Sequence, residues 1–167
     1  ALWHLPLHEE QTFAWMLDQA SAWFLECPLP PEDPLAHADL QRAIKTPIAI
    51  GESYRTHWEL TPFFQAGAMR VVQPDLGRCG ITEAIRIADM ARAFDMEVLP
   101  HVSIALGPQL AAALHFAAAA GCRWCEYNPK VVEMANRFLK EPVRLEGAEY
   151  LIPQGPGLGV ELTSEVF

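Results

Sequence analysis

Short apolar runs alternate along the chain with longer segments whose apolar residues recur every three or four positions. The runs are Trp23–Leu25, Ile48–Ile50, Val71–Val72, Val98–Leu99 and Trp124–Cys125. Between them lie Leu35–Lys45, His57–Gly67, Ile81–Asp95 and Gly107–Gly121, and a further helical stretch covers His8 to Ala20. The runs read as buried strands and the longer segments as helices. Gly67 and Gly121 close two of these segments, as expected of helix stops. Strand and helix in steady alternation predict an α/β fold with a parallel sheet and helical crossovers.

Each apolar run is closed by a titratable residue. These are Glu26, Glu52, Asp75, His101 and Glu126, at spacings of 26, 23, 26 and 25. An acid that only solubilises a loop has no reason to keep phase with the strands. Five groups in phase share one rim, the carboxyl ends of the strands. In a TIM-type (β/α) barrel that rim carries the active site. A doubly wound open sheet also binds ligands at strand carboxyl ends, but mainly at one switch point. The chain has neither G-x-G-x-x-G nor G-x-x-x-x-G-K-[ST], so the barrel is the better reading. Five units make it a partial barrel, since eight need roughly 250 residues. Asp75 poses the question most sharply: it either caps the helix that follows or helps to build a site.

At 167 residues and 51% hydrophobic, the chain suits one soluble domain with a real core. A formal charge of −9 argues against nucleic acid and anionic membrane surfaces as partners. No apolar run nears the roughly 20 residues that span a bilayer; Leu110–Gly121 is Ala-rich and interrupted by His115. The N-terminal stretch ALWHLPLHEE lacks a basic region and a cleavage-like segment. Cys122 and Cys125 have metal-like or redox-like spacing but no second pair, so all four cysteines are expected reduced and a cytoplasmic setting follows.

Glu26 and Glu52 close neighbouring strands. Two converging carboxylates repel unless a cation neutralises them, and hard oxygen ligands select Mg²⁺. Asp75 and His101 also close neighbouring strands, where a hydrogen bond fixes the imidazole tautomer and raises its basicity. Glu126 faces that pair across the site and is placed to donate a proton. A metal, an oriented base and an acid suit proton abstraction next to a carboxylate through an enediolate. His115 is expected in the core; His4, His8 and His37 are expected at the surface or in loops. Tyr54, Arg55, His57 and Arg78 lie in loops that can touch a substrate.

The stretches WFLECPLPPED, IAIGES, QPDLGRCGITEA, VLPHVS and RWCEYN resemble successive strand-end motifs of the enolase superfamily, in its mandelate racemase-like branch. LIPQGPGLGVEL resembles the segment that returns to that family's capping domain. The resemblance implies that residues 1–140 form a partial barrel corresponding to about strands 4–8, with 141–167 as the returning segment. It implies that Glu26 and Glu52 ligate Mg²⁺, that Asp75 and His101 form a catalytic dyad, and that Glu126 is the acid opposite. It also implies a capping domain, a lysine motif and a third metal-binding Asp, to be supplied in cis or in trans, or a homo-oligomer. The expected activity is dehydration of a sugar acid. Racemisation of a 2-hydroxy acid and a catalytically inactive fragment or half-assembly are the alternatives.

Overall fold

A computed structural model describes residues 6–103 and 105–166. Helix α1 (Leu7–Gln19) precedes strand β1 (Leu25–Glu26), and three helix–strand units follow: α2 (Pro34–Ala43), β2 (Ile48–Ile50), α3 (His57–Ala66), β3 (Val71–Val72), α4 (Leu76–Ala93) and β4 (Glu97–Val98). The strands pair in sequence order, all parallel, with Leu25 opposite Ile48, Ala49 opposite Val71 and Val72 opposite Val98. Helices α5 (Gly107–Ala120) and α6 (Pro129–Asn136) and a hairpin of β5 (Leu145–Glu146) and β6 (Glu149–Tyr150) complete the chain.

Period-two alternation divides each strand between two faces. Ala49, Val71 and Leu99 pack with Phe24 on one face. Leu25, Ile48, Ile50 and Val72 face the other way, into a core with Leu40, Leu60, Phe64 and Met69. Leu40, Leu60 and Met69 are fully buried, each contributing roughly 1.5–3 kcal/mol of hydrophobic stabilisation. A second core joins Leu76, Ala84 and Ala88 of α4 to Leu110, Leu114 and Phe116 of α5 and Val131 and Val132 of α6. Ile152, Leu158, Val160 and Leu162 of the final segment pack against it, and His115 Nε2 lies 3.1 Å from the Leu158 carbonyl.

Local chemistry sets the helix ends. Asp33 accepts the Ala36 N–H ahead of α2, and Thr56 and Glu59 form a capping box at α3. Gly67 and Gly121 stop α3 and α5 in the left-handed conformation, as their positions predict. Helix α4 begins at Leu76, five residues before the expected Ile81, because Asp75 caps it; Gly80 breaks its helical geometry.

Two expectations are corrected. Trp124–Cys125 is irregular, so four strands form the parallel sheet where five were expected. The Val102 N–H, which would begin a ladder toward that segment, donates instead to the Glu126 carboxylate. His37 is not at the surface: it is buried with its Nδ1 2.7 Å from the Asp33 carbonyl, because α2 turns that face onto Phe63. His8 is exposed as expected, the cysteines of the described residues are free thiols, and His4 lies outside the described residues. Among the described residues, no helix is long and apolar enough to cross a membrane.

Candidate active site

The rim residues are brought together by strand register. Asp75 and His101 form an isolated parallel bridge beyond the β3–β4 ladder, with the His101 N–H donating to the Pro74 carbonyl at 3.1 Å. That pairing sets the two side chains abreast, and His101 Nδ1 lies 2.9 Å from Asp75 Oδ2. Both residues are buried. The other Asp75 oxygen, Oδ1, accepts the backbone N–H groups of Gly77 at 2.8 Å and Arg78 at 3.1 Å. Asp75 is therefore both a helix cap and the partner of a histidine, one function for each oxygen.

A carboxylate at Nδ1 requires the proton there, which turns Nε2 toward the other strand ends. Nε2 lies 3.0 Å from Glu52 Oε2 and 3.9 Å from Glu26 Oε1. Gly51 makes the Glu52 placement possible: a Cβ at Gly51 would stand 2.4 Å from the Gln73 backbone, so a side chain there would separate β2 from β3. Cys27, immediately after Glu26, adopts a left-handed φ of 41°. Such backbone costs of order 1–3 kcal/mol and concentrates at functional sites. Glu126 comes from the irregular segment and is fixed by the Val102 N–H at 2.5 Å.

The electrostatics are one-sided. Burial, then the negative charge of Glu126, push the Glu26 carboxyl above its usual range, with Glu52 adding to the effect and His101 opposing it. Burial works to lower the His101 pKa, but the Asp75 hydrogen bond and the charges of Glu126, Glu52 and Asp75 outweigh it and raise the net value. Ligand atoms of Glu26, His101 and Glu126 all lie within 4.8 Å of one another. That group mixes two carboxylates with an imidazole, but Glu52 stands beside Glu26, and the carboxylate oxygens gathered here fit a hard divalent cation such as Mg²⁺.

The four loop candidates stand at or just before the first turns of α3 and α4. The Tyr54 hydroxyl donates to the Pro31 carbonyl and is buried. Arg55 and Arg78 are exposed. His57 is engaged through Nδ1 by Glu83 of α4. One residue of the site escaped the sequence reading: Gln109 Nε2 donates to Asp75 Oδ1 at 3.0 Å. Its signal was present, as the lone polar residue before His115 in the helix GPQLAAALHF.

The sequence profile of the enolase C-terminal domain-like family matches residues 2–166. Arabinonate dehydratase of Saccharolobus solfataricus is 30% identical over 90% of this chain and 40% of its own length. D-galactarolactone cycloisomerase of Agrobacterium fabrum is 35% identical over 86% of this chain and 40% of its own. D-galactonate dehydratase of Ralstonia nicotianae is 34% identical over 83% and 38%. The solved structure of an enolase superfamily member from Agrobacterium tumefaciens superposes on 98% of this chain and 42% of its own, at 29% identity and a TM-score of 0.90. The chain thus spans about 40% of the length of these relatives, and its four-stranded parallel sheet is part of an enolase-superfamily barrel. Profile, relatives and superposition agree with one another, and the chain belongs to the enolase C-terminal domain-like family.

Proposed function

We propose that this chain carries the acid–base half of a Mg²⁺-dependent sugar-acid dehydratase. The observation that supports it is the three-way position of His101: Nδ1 on Asp75, Nε2 facing Glu52 and Glu26. The arabinonate and galactonate dehydratases among the relatives favour dehydration within the family. Glu26 and Glu52 are the residues that would hold Mg²⁺, which supplies positive charge for a substrate carboxylate when bound.

The chain's own residues account for the proton movements. Asp75 keeps the proton of His101 on Nδ1 and stabilises the imidazolium. Nε2 is the nitrogen that reaches the substrate. Breaking the C–H bond next to the carboxylate leaves its electron pair in an enediolate. Collapse of that pair forms the C2–C3 double bond as the C3–O bond breaks. The departing hydroxyl takes one proton and leaves as water, and the enol tautomerises to a 2-keto-3-deoxy acid. His101 serves as a proton carrier at one of these two steps, and Glu126, across the cluster, is the second carrier. The remaining strands of the barrel, in cis or in trans, and the third metal-binding acid belong to the same proposal. Trp23 and Trp124 are exposed and pack edge to face at 5.2 Å, an apolar face for such strands to cover.

A panel of sugar acids incubated with the protein and Mg²⁺ tests this reading. A 2-keto-3-deoxy product is the expected result. Exchange of the α-hydrogen for deuterium without loss of water would replace it with the racemase reading. No product and no exchange, in an assembly shown to bind Mg²⁺, would reject both.

A further inference from the structure

We infer that Gln109 is a positioning residue of the His101–Asp75 pair: its side-chain amide holds Asp75 so that one carboxylate oxygen alone faces the imidazole. The inference rests on the acid–base reading of His101 and extends it to a residue outside the strand-end set.

Asp75 Oδ1 gathers three donors, the Gly77 and Arg78 N–H groups and Gln109 Nε2. Oδ2 is left to His101 Nδ1 at 2.9 Å. The two backbone donors come from the first turn of α4, so alone they fix the carboxylate from one side. Gln109 reaches it from the first turn of α5, a different element. A carboxylate held in this way cannot rotate to exchange its oxygens without breaking four bonds.

The packing reserves this position. A Cβ on Gly77 would stand 2.5 Å from Gln109 Cδ and 2.7 Å from its Nε2. Only a residue without a side chain at 77 lets the amide lie over the helix start. The loop topology gives the contact its consequence. His101 and Gln109 lie on either side of the connection into α5, so Asp75 binds a residue on each side of it. The same loop carries the Val102 N–H that fixes Glu126. One carboxylate therefore references the base, its orienting loop and the acid across the site to a single point.

Two near-isosteric variants test this in the protein as it stands. Gln109→Met keeps the length and the packing over Gly77 but removes the donor. Gln109→Glu keeps the shape and places a second carboxylate against Asp75. The primary readout is the His101 Nδ1 proton in the NMR spectrum, whose downfield position and slow exchange report the bond to Asp75 whether or not turnover is measurable. Both variants are expected to move this resonance upfield and to exchange it with water about tenfold faster, the effect of weakening one charge-assisted hydrogen bond. In an assembly that turns over, kcat is expected to fall about tenfold while Mg²⁺ affinity is unchanged. If Gln109→Met does not fold, as judged by circular dichroism, Gln109→Glu carries the comparison. An unchanged Nδ1 resonance in a folded variant, even with a lowered Tm, would reduce Gln109 to packing and overturn the inference. Absence of dehydratase activity in the parent protein would count against the proposed function instead, since the resonance is read without substrate.

Discussion

Among the described residues, two shielded histidines each meet a carboxylate through Nδ1, and the two pairs do different things. His101 Nδ1 meets Asp75 at the strand rim; His57 Nδ1 meets Glu83 between α3 and α4. Both are largely shielded from solvent, with His57 and Glu83 side chains 18% and 14% exposed and those of His101 and Asp75 at 9%. Their surroundings differ. Glu83 also accepts the His57 backbone N–H at 2.9 Å and pairs with Arg86 at 2.9 Å, so its charge is balanced and it anchors the start of a helix. Around His101 stand Glu26, Glu52 and Glu126 with no Lys or Arg among the described ion pairs of that cluster. A His–acid pair alone does not mark a site. Uncompensated charge around it does, because a fold tolerates mutual repulsion among carboxylates where a cation is to be bound.

The most direct way to break this comparison is to exchange imidazole for amide at both places. His101→Asn is expected to lower dehydratase turnover by about 10²–10⁴-fold, the usual contribution of a general acid–base group, while Mg²⁺ binding persists. His57→Asn is expected to lower turnover less than about tenfold, its main effect being on stability, by about 1–2 kcal/mol. Equal losses of turnover would mean that His57 also reaches the substrate.

The second prediction concerns the surplus charge. Glu26→Gln is expected to weaken Mg²⁺ affinity by on the order of 100-fold, the upper end of what even outer-shell changes cost. The parent protein is expected to gain about 2.7 kcal/mol of stability at a hundredfold excess of Mg²⁺ over its Kd; the variant is expected to gain far less at the same concentration. Without the cation the sign reverses. A carboxyl whose pKa is raised by folding binds its proton more tightly in the folded state, so stability falls as pH rises above the ordinary carboxylate value. The metal-free variant is therefore expected to melt above the parent at pH 7 and level with it below about pH 4.5. A parent that melts higher at pH 7 without metal would show that the cluster is not repulsive.

These contrasts also separate what the sequence discloses from what it hides. The strand ends were legible because a parallel ladder repeats: an acid at the end of one apolar run and a histidine at the end of the next must stand abreast, as the Asp75–His101 bridge shows. Glu126 was legible as a position, yet its strand was not formed, because Val102 gives its N–H to a side chain. His37 misled because its own polar ring suggested solvent, whereas its environment is set by Phe63 of the next helix. Gln109 and Glu83 were missed for the same reason. Each acts across an interface between helices, 34 and 26 residues from its partner, and no periodicity along one element encodes a contact with another. Asp75 shows the converse, since its capping of α4 and its expected hydrogen bond to His101 use different oxygens and both are formed.

The smallest expected effect lies in the balanced pair and sharpens the comparison from its other side. The His57 side chain and its backbone N–H, followed by Arg86, hold the Glu83 carboxyl down to about 2. A carboxylate with its pKa depressed by folding contributes stability that is complete above the ordinary value of about 4.5 and is lost as pH falls through the folded value. Glu83→Gln removes that contribution, at a cost of about 1–2 kcal/mol at neutral pH. The gap between parent and variant is therefore expected to be constant from pH 7 to about pH 5 and to close between about pH 4.5 and pH 2, as read by urea unfolding at each pH. Glu26, whose carboxyl is pushed up by folding, gives the opposite slope over a neighbouring window. Measuring Glu83→Gln and Glu26→Gln together thus separates a carboxylate that folding stabilises from one that folding strains. A gap for Glu83→Gln that widens on acidification would mean that its histidine, not its charge balance, governs the pair.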